Sequence, residues 1–471
     1  MKTYIYNKVK CTGAITLLFL CLLLVSSCDD QLEITPKGKV TLQSVEELEL
    51  LLNQEYMIGD MPCNDLGILS GESVGAYDQV STVLSQTNTV KYALMAFDET
   101  INRATLTTND TRYSNLYKYI NYMNTVITKM PDAEGNDAMK NRLIAEARVM
   151  RAYLHWLVAG IYAQQYDENS AASKGGIPYV KNIEVTETKE KNTLAETYKQ
   201  ILDDCSDEVI AQLPQERVAG MVMRGDRAWG NAVRAVVLMQ MKRYSEALPY
   251  AQKAIQLRPQ MFDRSVIKET GAWIQDETSD NNFLYIGGAA RVSPTMTMLS
   301  LETAELFEDG DYVMNYDYPG WSLDYGNMFS GLNGVRMYMG WSSTCNVYGL
   351  TSEQLHYIAA ECLIRTGKIP EGLELVNDVR KLRIEDCQPF TAASEQEAMQ
   401  LLQRAKFIEC LNTPFNYLDI KRWNTESGYS RTVTHRLGSN GTYSLSPQSS
   451  LWVMPFPVNA VRYNPTLTQN Y

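Results

Sequence analysis

An aromatic-rich segment between Tyr312 and Tyr348 carries the residues best suited to holding a ligand. Nine of its 37 residues are Trp, Tyr or Phe, whereas aromatic residues make up 10% of the whole chain. The segment lacks helical periodicity and is rich in glycine, which is typical of irregular structure. Flat aromatic side chains can stack on the apolar C–H faces of a sugar ring or cover the hydrophobic side chains of a peptide. The composition itself shows that this segment differs from the rest of the chain, and its aromatic residues are the first candidates for contact with a ligand.

A set of aromatic and polar side chains is predicted to contact the ligand. The aromatic members supply a stacking platform, and Tyr77 and Asp78 form an edge of the site, where hydroxyl and carboxylate groups suit the polar rim of a sugar. The aromatic candidates are Trp273, Trp321, Tyr325, Tyr338 and Trp341. The alternative is that half or more of these residues build the core of their own lobe, because an irregular lobe also needs buried apolar side chains.

No motif in the sequence favours catalysis. A glycosidase needs two carboxylates on opposite sides of the scissile bond, one of them with a raised pKa, and no pair of acids stands out by its spacing. The histidines His155, His356 and His435 lie in two helical patterns and a polar loop, without a nucleophile motif such as GxSxG. We therefore expect a protein that is not an enzyme, and an all-helical glycoside hydrolase is the distant alternative.

Metal and cofactor sites are not expected either. Glu308, Asp309 and Asp311 lack the further, regularly spaced oxygen ligands of a calcium loop, so they are predicted to form a solvated acidic turn. The cysteines form no CxxC pair and have no histidine at ligand spacing, which argues against zinc. Three cysteines in helical patterns are predicted to be small buried apolar residues. They are Cys205, Cys362 and Cys410.

The charge of the chain argues against two classes of partner. The sequence has 43 basic and 55 acidic residues and a net charge of −12, which becomes −15 if residues 1–27 are removed. Nucleic acids bind proteins with a positive field because their phosphates are negative. Anionic lipids likewise attract basic segments. We therefore expect no nucleic-acid partner and no charge-driven binding to a membrane surface.

The N-terminus has the pattern of a bacterial lipoprotein signal. Lysines without any acid precede an apolar run at 14–25, which is followed by Ser26-Ser27-Cys28. A run of about twelve apolar residues is too short to span a bilayer. The small residues before Cys28 are similar to a lipobox, in which the cysteine is acylated, and stable anchoring needs more than one acyl chain. We predict a lipid on Cys28, and a soluble product cut near the same place is the alternative.

Helical patterns on both sides of the aromatic segment must position it. The central pattern runs from Met139 to Ala163, with a row of large apolar residues on one face and a row of alanines on another. Such a helix is expected to lie between neighbours, with Trp156 and His155 filling the core. Two further helices are predicted at 113–128 and 193–213.

Two helix pairs have a tetratricopeptide-like pattern. Residues 228–259 carry small residues in register over two helices and end at a proline, and residues 351–383 repeat this plan. Helix pairs of this kind stack because no single pair buries its own apolar face, and three or more are needed for stability. The helices at 113–128 and 139–163 are candidates for another pair.

These patterns divide the chain into six consecutive segments. They are a lipoprotein signal peptide (1–27), a tether (28–43), a first helical repeat region (44–259), an irregular aromatic-rich insert for the ligand (260–350), a late helical repeat (351–383) and a C-terminal region that completes the capping lobe (384–471). Within the first helical region, Ser44 is predicted to begin a helix that ends near Asn53. Residues 59–90, rich in Gly, Ser, Thr and Asp, are predicted to be a loop.

Six short motifs occur in an order that is typical of one family. They are Cys28-Asp29-Asp30 with Leu32-Glu33 and Pro36, Leu51-Leu52-Asn53, AEARVMRAYLHWLVAGIYA followed by GGIPYV, HYIAAECLIRTGKIPEGLELVNDVRKLR, NYLDIKRWN, and Pro455-Phe456-Pro457 with Asn464-Pro465 and Leu467-Thr468-Gln469-Asn470. Together they resemble the SusD/RagB family, the surface nutrient-binding lipoproteins of Bacteroidetes. One departure is that Asn412-Thr413-Pro414-Phe415-Asn416 stands where the family often has an acidic Glu-Gly-x-Arg run.

The resemblance implies a mostly α-helical fold, with tetratricopeptide-like repeat helices on one side and an irregular, loop-rich capping lobe that carries the ligand site. It implies non-catalytic binding of a glycan, either an oligo- or a polysaccharide, on the outer membrane facing the cell exterior. It also implies a partner, a SusC-like TonB-dependent outer-membrane transporter, and contact with the membrane through the lipid anchor only. Some relatives handle peptides, so a peptide ligand on the same fold stays open.

Overall fold

The structure of the chain is a computed structural model that describes residues 42–59, 64–74, 80–184, 186–270, 278–287, 299–316 and 346–471. These residues are mostly α-helical, as predicted, and from residue 44 onward they belong to one unit. In this described part of the chain, no helix combines the length and the apolar character needed to span a bilayer.

Before residue 260, short helices precede longer ones along the chain. They are α1 (Val45–Glu49), α2 (Asn64–Ser70), α3 (Val80–Ser85), α4 (Val90–Met95), α5 (Arg103–Leu106), α6 (Thr111–Lys129), α7 (Asp137–Tyr162), α8 (Leu194–Asp204), α9 (Asp207–Gln212), α10 (Arg227–Gln240) and α11 (Tyr244–Leu257). Asp110 and Asn136 begin the two longest helices by accepting a hydrogen bond from a backbone N–H of the first turn, which satisfies a donor that the helix leaves unpaired.

After residue 260, helices alternate with irregular stretches and one hairpin occurs. The helices are α12 (Ile267–Thr270), α13 (Leu301–Ala304), α14 (Tyr312–Tyr316), α15 (Ser352–Arg365), α16 (Ile369–Arg380), α17 (Glu395–Glu409), α18 (Phe415–Trp423) and α19 (Val458–Tyr463). Strands β1 (Val433–Arg436) and β2 (Thr442–Leu445) pair antiparallel, with Val433 opposite Leu445 and Arg436 opposite Thr442.

The long helix α7 is surrounded by other elements. Every residue of 149–162 is buried, including His155 and Trp156, and α6, α8, α9 and α10 all contact the helix. Helix α18 also approaches closely at Gly160, where a Cβ atom would lie 2.6 Å from Leu418 Cδ2. The prediction that this helix lies between neighbours, with Trp156 and His155 in the core, is confirmed.

Consecutive long helices pack as pairs, namely α6 with α7, α10 with α11 and α15 with α16. The pair α10–α11 contacts the pair α15–α16, because α11 packs on α15. Helix α15 also packs on α17. The predicted limits of these helices agree with the structure within three residues. Small residues fill the contacts of α11 with its neighbours, because Ala247, Ala251 and Ala254 of this helix are fully buried. That the pairs form a tetratricopeptide-type stack stays a prediction.

The helix predicted at 193–213 is in fact two helices, α8 and α9. The break lies at Cys205 and Ser206, where Ser206 has extended backbone angles and the helical hydrogen bonds stop. The carbonyl groups freed by the break are not left without donors, because Arg234 Nη1 donates to Leu202 O (3.2 Å) and to Cys205 O (2.9 Å). A distant arginine therefore stabilises a break that local propensity does not indicate.

Two other predicted boundaries are wrong. The helix begun by Ser44 ends at Glu49, because the following residues form turns with bonds to the third residue back, such as Leu52 N to Glu49 O (2.9 Å). The predicted loop at 59–90 contains α2 and α3. These helices are too short to be stable alone and are held by tertiary burial, for example of Leu66 and Leu69.

The NYLDIKRWN motif lies on α18, and its side chains bind residues of α15 and α17. Arg422 forms two hydrogen bonds with Glu361 on α15 (2.7 and 2.8 Å), and Trp423 Nε1 donates to the same carboxylate (2.9 Å). Asp419 accepts from Arg422 (2.9 Å) and forms an ion pair with Lys406 on α17 (2.6 Å). The motif therefore has a structural role as a buried charge network.

The C-terminal tail is held at the end of α7. The side chain of Asn470 is buried, and its Nδ2 donates to the carbonyl oxygens of Tyr162 (2.8 Å) and Gly176 (2.9 Å). Gln469 exchanges two hydrogen bonds with the backbone of Phe456 (2.9 and 3.0 Å). These amide side chains hold the tail in place by pairing with backbone groups that the helix and the loops leave without partners.

Candidate functional site

All of the predicted ligand-contact residues lie outside the residues that the structure describes. They are Tyr77 and Asp78 in 75–79, Trp273 in 271–277, and Trp321, Tyr325, Tyr338 and Trp341 in 317–345. The predicted lipid site, Cys28, lies in 1–41 and is outside them as well. The described residues next to these segments meet the rest of the fold at three places, which we name the Tyr348, Glu72 and Asp311 junctions.

The Tyr348 junction consists of three short stretches of chain, 56–59, 284–287 and 346–349. Hydrogen bonds join them side by side, from Gly287 N to Tyr56 O (2.9 Å) and from Tyr348 N to Ile286 O (3.0 Å). The stretches adjoin the segments 60–63, 288–298 and 317–345, respectively. The end of the segment that holds four aromatic candidates is therefore fixed to the ends of two other segments.

Arg112 on α6 connects the Tyr348 junction to the helices. Its Nε donates to Tyr348 Oη (3.1 Å), and its Nη1 and Nη2 donate to the two carboxylate oxygens of Asp65 (3.2 and 2.5 Å). Tyr153 on α7 donates to the carbonyl oxygen of Tyr348. Burial alone would lower the pKa of Arg112, but the charge of Asp65 raises it well above its usual value. The guanidinium is therefore a permanent charge at this junction.

Asn346 closes the same junction with its side-chain amide. Its Nδ2 donates to Asn282 Oδ1 (2.9 Å) and Leu284 O (3.0 Å), and its Oδ1 accepts from Ile286 N (2.9 Å) and Gly349 N (3.0 Å). A Cβ atom at Gly349 would lie 2.0 Å from Leu284 O. Because that neighbour is backbone, which cannot rotate away, this position requires glycine.

The Glu72 junction lies beside the segment 75–79. The carbonyl of Glu72 accepts from Ser300 N (3.0 Å), and its carboxylate accepts from Asn412 N (2.5 Å) and Asn416 Nδ2 (3.2 Å). Burial raises the pKa of Glu72 to about 7, although both of these hydrogen bonds lower it. The asparagines that replace the acidic run of the resembling family thus bind an acid from another part of the chain.

An apolar cluster supports the Glu72 junction. Val74 and Val80, which stand on the two sides of 75–79, are both buried in it with Met95 and Leu437. The partly buried Tyr443 of the hairpin packs against the same cluster. Both ends of the segment that holds Tyr77 and Asp78 are therefore anchored in one small core.

The Asp311 junction fixes the other end of the aromatic segment, at α14. Tyr312 N donates to Arg383 O (3.0 Å), and the Asp311 carboxylate accepts from the backbone N–H groups of Val313 (2.9 Å) and Met314 (3.2 Å). Burial raises the pKa of Asp311 to about 6. This aspartate therefore acts as a cap of α14.

The prediction of a solvated acidic turn is wrong for two of its three acids. Asp311 is buried, and Glu308 forms two hydrogen bonds with Arg380 (3.1 and 2.6 Å), whereas Asp309 is exposed. The sequence did not reveal this because the arginine partner lies on α16, far along the chain. The acids here bind arginines and backbone groups of the protein itself.

The aromatic residues at the junctions are part of the core. Tyr285, Tyr312 and Tyr348 are all less than 9% exposed. These three tyrosines fit the alternative in which part of the aromatic content builds the lobe, because their rings face protein and have no free face for a ligand.

The histidines of the chain have structural roles. His155 Nε2 accepts from Val180 N (3.1 Å), and burial lowers the pKa of His155 to about 3, so the ring is neutral. His356 is buried and its Nδ1 lies 2.7 Å from Ser352 O. His435 is buried on β1, not in the polar loop that was predicted, and both of its ring nitrogens lie near backbone carbonyls. All three rings are buried and lie within hydrogen-bond distance of backbone groups.

Buried thiols and acids in the described part of the chain offer no metal centre. No group of three or more His, Cys, Asp or Glu side chains there could hold a metal ion. Cys205, Cys362 and Cys410 are free and buried, which confirms their prediction as small core residues. Burial raises the pKa of Cys205 and of Cys362 to about 12, so these thiols are neutral and inert.

Two cavities among the described helices are too small for a sugar. Each has a volume of about 20 Å³, which is room for roughly one water molecule. Ligand sites of proteins usually enclose about 300 to 1,000 Å³. One cavity is lined largely by apolar side chains, such as those of Trp156, Val236 and Leu418. Neither cavity is a ligand site.

Arg112 is the residue at these junctions that sequence reasoning missed. It lies in the first turn of a helix whose neighbouring positions, Tyr113 and Leu116, are buried. A charged residue on the apolar side of a helical pattern was the available signal, because a charge is rarely buried without a partner. The identity of its partners, Asp65 and Tyr348, had no local signal.

The sequence and fold are similar to those of known proteins. Residues 43–227 match a SusD-like family described as "Starch-binding associating with outer membrane". No curated protein matches the chain in sequence.

Several crystal structures share the fold along most of the chain. A SusD superfamily protein from Bacteroides thetaiotaomicron is 16% identical, covers 91% of this chain and 100% of its own, and has a TM-score of 0.70. A SusD-like carbohydrate-binding protein from Bacteroides vulgatus is 15% identical, covers 90% and 97%, and has a TM-score of 0.67. A SusD-like carbohydrate-binding protein from Bacteroides fragilis is 16% identical, covers 91% and 99%, and has a TM-score of 0.62. At these identities the likeness concerns the fold.

Proposed function

We propose that this chain is a SusD-like protein that binds an oligo- or polysaccharide without cleaving it and delivers it to a SusC-like TonB-dependent transporter of the outer membrane. The observation that carries the proposal is the likeness of the fold, along most of the chain, to proteins described as carbohydrate-binding. Transfer to a transporter is the finer part of the proposal and rests on the family resemblance.

We assign the stacking platform to the aromatic candidates outside the described helices. They are Trp273, Trp321, Tyr325, Tyr338 and Trp341, with Tyr77 and Asp78 at the edge. Two observations support this assignment. The described cavities hold about one water molecule each, so they cannot take a sugar ring. The segment 317–345, which carries four of the candidates, also begins at the Asp311 junction and ends at the Tyr348 junction, and hydrogen bonds hold both junctions.

Binding without cleavage is supported by the state of the acids and histidines. Three described carboxylic acids have a pKa that burial raises, and all three are buried. Glu72 and Asp311 accept hydrogen bonds from the protein backbone, and Glu146 accepts one from Arg224 (2.6 Å). A general acid must reach the glycosidic oxygen of its substrate. Burial against groups of the protein itself therefore favours a structural role for these acids.

We place the protein on the outer membrane, facing the cell exterior, with acyl chains on Cys28 and residues 28–43 as the tether. The family match supports the outer membrane as the location. The excess of 55 acidic over 43 basic residues argues against a second, charge-driven contact with the membrane. The lipid is then the only contact with the bilayer.

The experiment that tests binding is native affinity electrophoresis in gels that contain amylopectin, xylan, galactan or mannan, paired with an assay for new reducing ends. Slower migration in one gel without new reducing ends supports the proposal. New reducing ends from purified protein would favour the glycoside hydrolase alternative. Normal migration in every gel, with capture of peptides instead, would favour the peptide ligand.

A separate experiment tests the proposed partnership with the transporter. The chain carrying an affinity tag is purified from outer membranes solubilised in mild detergent. A TonB-dependent transporter that co-purifies in near-equal amount supports the proposed partnership. Recovery of the chain alone, from membranes in which the transporter is present, contradicts it.

A further inference from the structure

We propose that Arg112 and Tyr348 are positioning residues for the ligand site, an inference that rests on the proposed function. Both residues lie within the described fold, and neither is placed in contact with the ligand. One guanidinium on α6 binds the chain that follows each of two segments. Asp65 follows the segment 60–63, and Tyr348 follows the segment 317–345 with its four aromatic candidates.

Arg112 contacts the chain on both sides of the segment 60–63. Asp65 receives two hydrogen bonds from Arg112 after the segment 60–63. Before this segment, Gly59 packs on the same pair, and a Cβ atom there would lie 3.1 Å from Arg112 Cβ and 3.2 Å from Tyr348 Oη. Chain on both sides of 60–63 therefore meets a single Arg112–Tyr348 pair.

The helices fix the position of Arg112 itself. It occupies the first turn of α6, which Asp110 caps by accepting from Tyr113 N (3.1 Å). Asp110 also accepts from Tyr162 Oη at the end of α7 (2.6 Å). Because α6 packs along the buried central helix α7, a guanidinium at this position is a fixed reference point for the chain that it binds.

The chemistry of the contact favours a positioning role over a purely stabilising one. A buried arginine loses its hydration, and an apolar residue of similar size often gives equal stability. What an apolar side chain cannot supply is direction, because a guanidinium donates along fixed lines to Tyr348 Oη and to both oxygens of Asp65. Arg112 therefore fixes the positions of Tyr348 and Asp65 relative to each other.

The test compares two tyrosine-to-phenylalanine variants. Tyr348→Phe removes the acceptor of Arg112 Nε and leaves the ring in place. Tyr417→Phe is the matched control, because Tyr417 is also fully buried and its hydroxyl donates to a backbone carbonyl, that of Trp452 (2.5 Å). We expect Tyr348→Phe to weaken retention in the gel that retards the wild-type protein by about tenfold in dissociation constant. The control should change retention by less than about twofold.

Hydrogen–deuterium exchange of the free proteins provides a readout that does not depend on a ligand. In Tyr348→Phe, peptides covering 346–350 and 64–70 should exchange faster than in the wild type, because the two stretches lose their shared anchor. In Tyr417→Phe they should not. If wild-type protein is retained by no polysaccharide, the proposed function fails, and the exchange data still decide the inference about the junction.

A second variant covers the case in which Tyr348→Phe does not fold. Asp65→Asn removes the charge of a side chain that is 29% exposed, so the fold tolerates it better. It should raise exchange in 346–350 through Arg112 and weaken retention in the same direction. Exchange and retention equal to those of Tyr417→Phe, in whichever of the two variants folds, would overturn the inference.

Discussion

Arg422 and Glu361 form a doubly hydrogen-bonded ion pair in which neither side chain is exposed to solvent. We expect Glu361→Gln to lower the free energy of unfolding by roughly 3 to 5 kcal/mol, because the charge of Arg422 would lose its main partner inside the core. Urea denaturation followed by circular dichroism measures this change. The control is Asp378→Asn in the exposed pair with Lys381, where we expect less than about 1 kcal/mol. Equal losses in both variants would contradict the prediction.

Glu72 should make the fold less stable as the pH rises. Folding raises the pKa of Glu72 from 4.5 to about 7, so the folded state holds a proton that the unfolded chain releases. The contribution of this group to stability is therefore complete below pH 4.5 and is lost as the pH rises to about 7. The loss amounts to roughly 3 kcal/mol in total. Asp311, whose pKa is raised to about 6, acts in the same direction at lower pH.

The comparison that isolates Glu72 is the wild-type protein against Glu72→Gln, unfolded in urea between about pH 5 and pH 8. The variant has no titrating group at this position, so its free energy of unfolding should fall less steeply over that range. Parallel pH profiles for the two proteins would assign the pH dependence to other groups.

Gly349 should not tolerate a methyl group. In Gly349→Ala the new Cβ would meet Leu284 O at 2.0 Å and Asn346 Oδ1 at 2.2 Å. We expect a loss of at least about 2 kcal/mol in stability and weaker retention by the polysaccharide, because the Tyr348 junction has to open. Gly428→Ala is the control, since nothing lies within 4 Å of that position. A variant at Gly349 that is as stable as the control would show that the junction is not tightly packed.

Trp321 and Trp341 should matter for the ligand and little for stability. We expect the double variant Trp321→Ala, Trp341→Ala to lose retention in the affinity gel, because each stacking face contributes roughly 1 kcal/mol or more to binding. The thermal midpoint should stay within a few degrees of the wild-type value. A loss of the cooperative thermal unfolding transition in the double variant would support the alternative, in which these tryptophans are part of the core of their own lobe.

Cys28 should be the site of lipid attachment. We expect Cys28→Ser to abolish incorporation of radiolabelled palmitate and to move the protein from the membrane fraction to the soluble fraction, because no other contact with the bilayer is proposed. The variant should bind polysaccharide as the wild type does. Palmitate incorporation that persists in the variant would refute the assignment.

The long helices were predictable because their evidence is local. In α7, α10 and α11 the apolar and small residues recur with the period of a helix over ten or more positions, so a window of sequence contains the signal. A window of sequence around α2 or α3 contains no such signal. Those helices depend on the burial of residues such as Leu66 and Val80 by chain that lies elsewhere in the sequence.

For the candidate site, the sequence predicts a region and not a set of contacts, and this region lies outside the described residues. Composition alone marked the aromatic segment, because a change in residue content needs no knowledge of the fold. The hydrogen bond from Arg112 to Tyr348 joins residues 236 positions apart. Spacing rules describe neighbours within one helix or strand, so a pair at that separation leaves no trace in either local pattern.

The two hydrogen bonds of Asn470 determine when the end of α7 can be completed during synthesis. Asn470 follows every described helix in the sequence, so the carbonyl groups of Tyr162 and Gly176 gain this donor only after the chain beyond α19 has been synthesised. A product that stops short of Asn470 would leave both carbonyl groups, one of them at the end of the central helix, without this donor.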